Sequence, residues 1–142
     1  MLGMLVVTHG RYAEELVASA RTIVGEIEAL EAVSMDWNDD ADEATERIRT
    51  AVQRVDRGDG VVLVTDMFGG TPTNLALWML EAGKVEIVTG VNLPMLIKFA
   101  NLREKLSLHD AAASIAAQAR ESIHMASELL EAGGDAGGEQ EP

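Results

Sequence analysis

Cysteine is absent from the 142-residue chain, proline occurs three times, and aromatic residues make up only 4% of it. Without cysteine the chain can form no disulfide framework, thiolate nucleophile or zinc–thiolate site. Long hydrophobic runs are also missing, since none approaches the roughly 20 apolar residues that a membrane-spanning helix needs. The N-terminal segment MLGMLVVTHG lacks the basic region and the apolar length of a secretory signal. We therefore expect a soluble, cytoplasmic protein that does not insert into a membrane.

Basic residues are scarce as well. The chain has 11 Lys and Arg residues against 24 Asp and Glu residues, which gives a formal net charge of −13. Nucleic-acid binding is disfavoured, because each phosphate contact needs a Lys or Arg, and an anionic membrane surface would repel the chain. A partner with a basic face is favoured only weakly, because acidic surfaces often serve solubility alone. The acidic run at residues 36–42 is accordingly predicted to be a solvated segment.

The hydrophobic pattern predicts an α/β fold. Short apolar runs without polar alternation predict buried strands at residues 2–8, 30–35, 60–66 and 85–88. Helical spacing predicts helices at about residues 11–27, 40–58, 71–83, 94–102 and 107–132. This alternation is typical of a doubly wound, mainly parallel four-stranded sheet with helices on both faces. We expect a single domain at residues 1–132 and a disordered, acidic, glycine-rich tail at residues 133–142.

Two of these helices carry further expectations. The helix that follows Thr71 is apolar on nearly every side (NLALWML), which predicts burial between two neighbours. The last helix is expected to be continuous, with an inward stripe that includes Ile115, Ala119, Ile123 and Leu130.

Polar loops follow three of the predicted strands, and the carboxyl ends of parallel strands share one edge of the sheet. His9 ends the first strand and Asp66 ends the third, so the two side chains should lie within reach of each other. A carboxylate fixes the tautomer of a histidine ring and leaves the other ring nitrogen free as a nucleophile. The alternative is a histidine that merely closes a strand and an aspartate that forms a turn. We predict that His9 and Asp66 are catalytic.

The segment from Phe68 to Thr73 brings two glycines to a predicted helix N-terminus, where free N–H groups attract anions. Gly69, Gly70 and Thr71 are therefore candidates for binding a phosphoryl group, and the hydroxyl of Thr73 is a further possible donor. An ordinary strand–helix turn is the alternative. Neither a Walker motif nor a GxGxxG motif is present, so no nucleotide cofactor is predicted.

The remaining candidates carry weaker signals. His109 and His124 lack metal-ligand spacing, so no metal site is predicted. Arg11 could neutralise an incoming phosphate or simply be solvated. Four apolar residues could form a docking rim around the site or belong to the core: Met67, Phe68, Leu93 and Met95.

Three motifs together, THG at residues 8–10, TDMFGGTPTN at 65–74 and GVNLPML at 90–96, resemble the mannose-family enzyme IIA domain of the bacterial phosphoenolpyruvate:sugar phosphotransferase system. The resemblance runs over about residues 1–132. It implies that His9 takes a phosphoryl group from the carrier HPr and passes it to an enzyme IIB domain, with Asp66 paired to the histidine. It also implies that Gly70, Thr71 and Asn92 surround the phosphoryl group, that the domain forms a homodimer, and that no cofactor is needed.

Phe68 stands where some relatives have Trp or Leu, so the docking rim is expected to differ. No IIB sequence follows within the 142 residues, so we expect a separately encoded acceptor. Three rival functions stay open. They are a phosphorylation-dependent regulatory module without a transport role, the phosphoryl-donor subunit of dihydroxyacetone kinase, and a small-anion-binding domain without covalent chemistry.

Overall fold

The computed structural model describes residues 1–135, and its centre is a four-stranded sheet. The strands run in the order β2-β1-β3-β4, and all three neighbouring pairs are parallel. The doubly wound sheet predicted from the alternating pattern is thereby confirmed. The strands are β1 (Gly3–His9), β2 (Leu30–Met35), β3 (Val61–Thr65) and β4 (Val85–Thr89).

Helices cover both faces of this sheet. On one face α1, α4 and α5 bury Met4, Val6, Val62 and Val64, and on the other α2 and α3 bury the alternate residues of β1 and β3. Because both faces are covered, the two central strands are apolar throughout. The helices are α1 (Tyr12–Val24), α2 (Ala41–Val55), α3 (Thr71–Ala76), α4 (Leu93–Leu102), α5 (Leu108–Glu121) and α6 (Ala126–Asp135). In the described residues no helix is long and apolar enough to cross a bilayer.

The helix predicted at residues 71–83 is much shorter. After α3 the chain tightens into a 3₁₀ turn at Leu77–Met79, and the backbone becomes extended at Leu80. The Glu81 amide then donates to the Val85 carbonyl, which closes the turn into β4. Leu77, Trp78 and Leu80 are exposed. The predicted burial of this helix on two sides is therefore wrong beyond Ala76.

The continuous last helix is also wrong. Helix α5 ends at Glu121, where the Ser122 hydroxyl donates to the carbonyl of Gln118 at 2.6 Å. Such side-chain bonds compete with the helical ladder. The inward stripe stops at Ala119, and both Ile123 and Leu130 are exposed.

Two other boundaries differ from the prediction. The first helix stops at Val24, because Gly25 has a φ of 87° that L residues avoid. Helix α6 continues to Asp135, three residues into the predicted tail. The rest of that tail, residues 136–142, lies outside the described residues.

Candidate functional site

The parallel register brings the ends of β1 and β3 together. Val7 of β1 and Thr65 of β3 form the last pair between these two strands, so His9 and Asp66 both lie beyond that pair at the carboxyl edge. Strands in a sheet lie about 4.8 Å apart, which leaves a short distance for the two side chains to bridge. The juxtaposition expected from the sequence is present in the fold.

One carboxylate oxygen of Asp66 binds His9 twice. Its Oδ2 atom accepts a hydrogen bond from the ring Nδ1 at 2.7 Å and another from the His9 backbone amide at 3.0 Å. The other oxygen, Oδ1, accepts from the amide of Met67 at 2.9 Å. The imidazole is thus held at a fixed position and angle relative to both strand ends.

This network lowers the pKa of Asp66. Burial acts in the opposite direction and raises it, but the backbone and ring hydrogen bonds from His9, the charge of the ring and the Met67 amide together prevail. Asp66 is therefore ionised at neutral pH and can only accept hydrogen bonds. In a neutral ring the proton then sits on Nδ1 and the lone pair on Nε2.

The free nitrogen of His9 faces an opening. The histidine side chain is 49% exposed, whereas that of Asp66 is 15% exposed. Nε2 makes no hydrogen bond to any residue between 1 and 135. The arrangement therefore presents one oriented nucleophilic nitrogen to solvent, backed by a shielded carboxylate.

Gly70 lies directly against this ring. A Cβ atom at this position would lie 2.7 Å from Cε1 and 3.2 Å from Nε2 of His9. The backbone of Gly70 is extended, with a φ of −90°, so the conformation itself does not demand glycine. Glycine leaves the His9 ring in its place, and a larger residue here would displace it.

Two buried threonines hold the loop that contains Gly70. The Thr73 hydroxyl donates to the Met67 carbonyl at 2.6 Å, and Thr65 and Thr73 join their hydroxyls at 2.7 Å. Thr73 has one hydroxyl proton, so Thr65 is the donor between the two. The expectation that Thr73 donates to a phosphoryl group is wrong for this structure, because its hydroxyl is buried and engaged inside the loop.

Several backbone amides of this loop are open. The amides of Phe68, Gly69 and Thr71 donate to no acceptor within the described residues, whereas residues 67–70 form a turn in which the Gly70 amide faces the Met67 carbonyl. Free amides in a turn can form a concave site for anions. The roles predicted for Gly69, Gly70 and Thr71 stay predictions, and this loop lies against the His9 ring at Gly70.

Asn92 is placed differently. Its side chain caps α4 by accepting from the Met95 amide at 3.1 Å, and its Nδ2 donates to the Ala119 carbonyl at 3.1 Å. It makes no hydrogen bond to His9 or Asp66. The phosphoryl-binding role implied for Asn92 stays a prediction, and the observed bonds connect α4 to α5.

The proposed docking rim divides into two parts. Met67 and Phe68 are 55% and 74% exposed beside the site. Leu93 is half-buried, and Met95 is a fully buried core residue. Arg11 is exposed, and its guanidinium lies 3.5 Å from the carboxylates of both Glu14 and Glu15. Within residues 1–135 no contact directs it toward a phosphate.

Two supporting residues were not singled out from the sequence. The buried Thr8 hydroxyl accepts from the Ala13 amide at 2.7 Å and so anchors the start of α1 behind His9. The Tyr12 hydroxyl donates to the Val91 carbonyl at 3.2 Å, which links α1 to the loop after β4. The N-cap position of α1 is Arg11, and the bond from Ala13 to Thr8 spans five residues, so no capping pattern in the sequence indicates it.

No group of His, Asp and Glu residues within 1–135 could hold a metal ion. His109 lies in the first turn of α5 and His124 follows the end of that helix; both are exposed, and neither contacts His9 or Asp66. The titratable pair of His9 and Asp66 is therefore the best-defined chemical site in the described part of the chain.

Comparison with known proteins supplies the context of this site. A family model described as the PTS system fructose IIA component matches residues 3–116, a range that includes His9 and Asp66. The fructose-specific EIIA component of Bacillus subtilis (strain 168) is 31% identical over 132 residues, or 92% of this chain and 90% of that protein. The mannose-specific EIIAB component of Escherichia coli (strain K12) is 29% identical over 98 residues, covering 68% of this chain and 30% of that protein.

A solved structure is similar over nearly the whole chain. The PTS IIA protein associated with the fucose utilization operon from Streptococcus pneumoniae superimposes with a TM-score of 0.80 at 28% identity. The alignment covers 91% of this chain and 96% of that one.

Proposed function

Because this chain belongs to the EIIA-man family of PTS system IIA components, we propose that it is a phosphocarrier that receives a phosphoryl group on His9 from HPr and passes it to an enzyme IIB domain. The observation that carries the proposal is the pairing of an exposed Nε2 with an Nδ1 held 2.7 Å from Asp66. A sugar phosphotransferase role follows from the family, and the residue, donor and acceptor are our inference.

The proposed step is an in-line exchange between two imidazoles. The Nε2 lone pair of His9 forms a new N–P bond while the N–P bond on the phosphohistidine of HPr breaks. The electron pair of the broken bond stays on the HPr imidazole. Positive charge that develops on the His9 ring is stabilised by ionised Asp66 through the Nδ1–H bond. Transfer to IIB reverses the roles, with His9 as the leaving group.

Phosphoryl transfer passes through a loose transition state, so positioning and charge stabilisation dominate its catalysis. Asp66 fixes the ring, and the loop of Gly69, Gly70 and Thr71 is proposed to bind the equatorial oxygens, with the amides of Gly69 and Thr71 as its free donors. No nucleotide or metal is invoked in this step, because the phosphoryl group arrives on a protein and leaves on a protein. The shallow, exposed position of Nε2 suits access by another folded domain.

The decisive experiment is phosphoryl labelling of the full chain. Phosphorylated HPr should label the wild-type protein with an acid-labile phosphate, and His9→Ala should lose the label entirely. His109→Ala and His124→Ala serve as matched controls and should be labelled like wild type, since neither histidine is paired with a carboxylate as His9 is with Asp66 in the described residues. Label that persists in His9→Ala and maps to either other histidine would overturn the proposal.

A second arm tests the acceptor. Labelled protein is mixed with an enzyme IIB domain, and transfer of the phosphate to IIB supports the carrier function. Retention of the phosphate, together with phosphorylation-dependent binding of a protein that is not a transferase, would instead support the regulatory alternative.

The homodimer belongs to the same proposal. Ile123, Met125 and Leu130 around the junction of α5 and α6 are 78%, 63% and 64% exposed in the single chain. Exposed apolar residues in one region are typical of a surface that associates. Sedimentation equilibrium should give twice the mass of the chain, and a monomer at micromolar concentration would contradict this part.

A further inference from the structure

Trp37 is almost fully exposed. Its side chain is 97% accessible, the largest value among the exposed large apolar residues of the described part of the chain. Tryptophan buries a large apolar area when it is covered, and it is among the residues most enriched at the energetic centres of protein interfaces. The acidic run at residues 36–42 was predicted to be merely solvated, and solvation does not explain an exposed indole within it.

Trp37 lies close to His9. Strand β2 is the neighbour of β1, and His9 pairs with Met35, whose carbonyl accepts from the Gly10 amide at 2.8 Å. Trp37 is two residues farther along the chain. Two residues span at most about 7 Å, and paired strands are about 4.8 Å apart, so the Cα atoms of Trp37 and His9 lie within about 12 Å.

Phe68 lies on the opposite side of His9. It follows Asp66 by two residues and is 74% exposed. An interface of standard size covers about 800 Å² of each partner, equivalent to a disc of about 16 Å radius. An interface of this size centred on Nε2 extends beyond the Cα atoms of both aromatic residues.

Charge defines the partner's chemistry. The segment after β2 and the first turn of α2 carry five carboxylates: Asp36, Asp39, Asp40, Asp42 and Glu43. Arg47 forms an ion pair with one of them, Asp39. Asp39 binds the Asp36 amide and Asp40 caps α2, so these two have structural roles. The side chains of Asp36 and Asp42 make no hydrogen bond within residues 1–135, which leaves them available to basic groups.

We propose that Trp37 is an anchor for the protein that phosphorylates His9. The indole inserts into an apolar depression on that partner, and basic side chains around the depression face Asp36 and Asp42. The inference rests on the proposed function, because it assigns a surface to the donor that the function requires. Trp37 is a docking residue and takes no part in the chemistry at Nε2.

The test measures the initial rate of transfer from phosphorylated HPr as the HPr concentration is varied. Trp37→Ala should lower kcat/KM by about tenfold or more, mainly through KM, while Trp37→Phe keeps most of the wild-type value. Trp78→Ala is the matched control, because Trp78 is 74% exposed but precedes β4 at the other edge of the sheet. Equal kcat/KM values for Trp37→Ala and wild type would overturn the proposal.

Phosphoramidate, a small chemical phosphoryl donor, separates docking from chemistry. It should phosphorylate His9 in Trp37→Ala at the wild-type rate, since no docking surface is used, and an equal loss with both donors would overturn the proposal. If neither donor labels the wild-type protein, the proposed function itself is wrong, and not only the docking surface.

A charge variant tests the second half of the surface. Asp36→Asn/Asp42→Asn should lower kcat/KM at low salt and flatten its salt dependence. Glu26→Gln/Glu28→Gln removes the same charge at the opposite end of β2 and should leave both unchanged. Equal effects of the two double variants would show that only net charge matters and would overturn the proposed contact.

Discussion

A single oxygen atom of Asp66, Oδ2, accepts hydrogen bonds from both the ring and the backbone amide of His9. The two contacts orient the imidazole relative to its own main chain, so the ring cannot rotate without losing its carboxylate partner. A shared acceptor of this kind selects one tautomer as well as one rotamer.

Asp66→Asn should therefore slow phosphoryl transfer by about 10²- to 10⁴-fold, because a neutral amide does not stabilise the positive charge that develops on the ring. In either orientation its NH₂ group also faces a backbone donor, the amide of His9 or that of Met67. Rapid-quench transfer from phosphorylated HPr gives the rate, and circular dichroism checks the fold. Glu121→Gln, an exposed charge change at the end of α5, is the control. A rate within twofold of wild type would remove Asp66 from the mechanism.

The lowered pKa of Asp66 also predicts how stability depends on pH. On unfolding, its pKa returns toward the ordinary value of 3.8, so the unfolded chain binds the proton more readily. The stability that ionised Asp66 contributes is complete well above pH 3.8 and disappears as the pH falls through the folded-state pKa. The difference in free energy of unfolding between wild type and Asp66→Asn should shrink as the pH falls from about 5 toward 2. Urea denaturation at each pH measures it, and a constant difference would contradict the assignment.

Gly70 and Gly69 should respond in opposite ways to alanine. In Gly70→Ala the new methyl group displaces the His9 ring, so transfer should fall by about 10²-fold with little loss of stability. Gly69 has a φ of 90° and open space around it. Gly69→Ala should therefore destabilise the fold by about 1–3 kcal/mol. Transfer rates and unfolding curves of the two variants measure these effects. If Gly70→Ala is slower but its nuclear magnetic resonance spectrum shows the His9 ring in its wild-type position, the steric argument is wrong.

Removal of the Thr73 hydroxyl should loosen the loop that carries Gly70. Thr73→Val leaves the buried Thr65 hydroxyl without its acceptor, at a cost of about 1–3 kcal/mol, and frees the Met67 carbonyl. Transfer should slow along with the loss of stability. Thr73→Ser retains the hydroxyl, so its transfer rate should be closer to that of wild type than its free energy of unfolding is. If the serine variant is as slow as the valine variant, the hydroxyl bonds are not what positions the loop.

Asn92 offers a test between two roles. Its observed bonds cap α4 and join it to α5, so Asn92→Ala should lower stability by about 0.5–2 kcal/mol while the rate per folded molecule is unchanged. Thermal unfolding and transfer assays at a temperature where the variant is folded measure the two quantities separately. A rate that falls by tenfold in the folded variant would favour the phosphoryl-binding role implied by the family resemblance.

The sequence predicted the strands and the meeting of His9 with Asp66 because both follow from local rules. A fully buried parallel strand is an uninterrupted apolar run, and parallel strands end at one edge. Exposure of Trp78 and Ile123 could not be predicted in the same way. Periodicity identifies residues that would be buried if a neighbour were present, and only the fold decides whether a neighbour is there.

The hydrogen bonds of the Thr73 hydroxyl could not be predicted for a related reason. A hydroxyl beside a glycine turn suits a bound anion and a neighbouring carbonyl equally well, and the Thr65 partner that decides between them lies eight residues away. Gly70 is the reverse case. The sequence indicated glycines at an anion-binding turn, and the structure identifies the group that lies against Gly70 as the His9 ring.

The central position of β1 in the sheet affects how the chain folds. The contact between His9 and Asp66 spans 57 residues of sequence, and closing a loop of that length costs about 4 kcal/mol of chain entropy before any contact repays it. We therefore expect the pairing of β1 with β3 to follow the condensation of α1, β2 and α2 between them. His9 precedes Asp66 by 57 residues, so its ring is oriented only once β3 has been made and paired. A nascent or partly folded chain thus carries His9 without the partner that orients it.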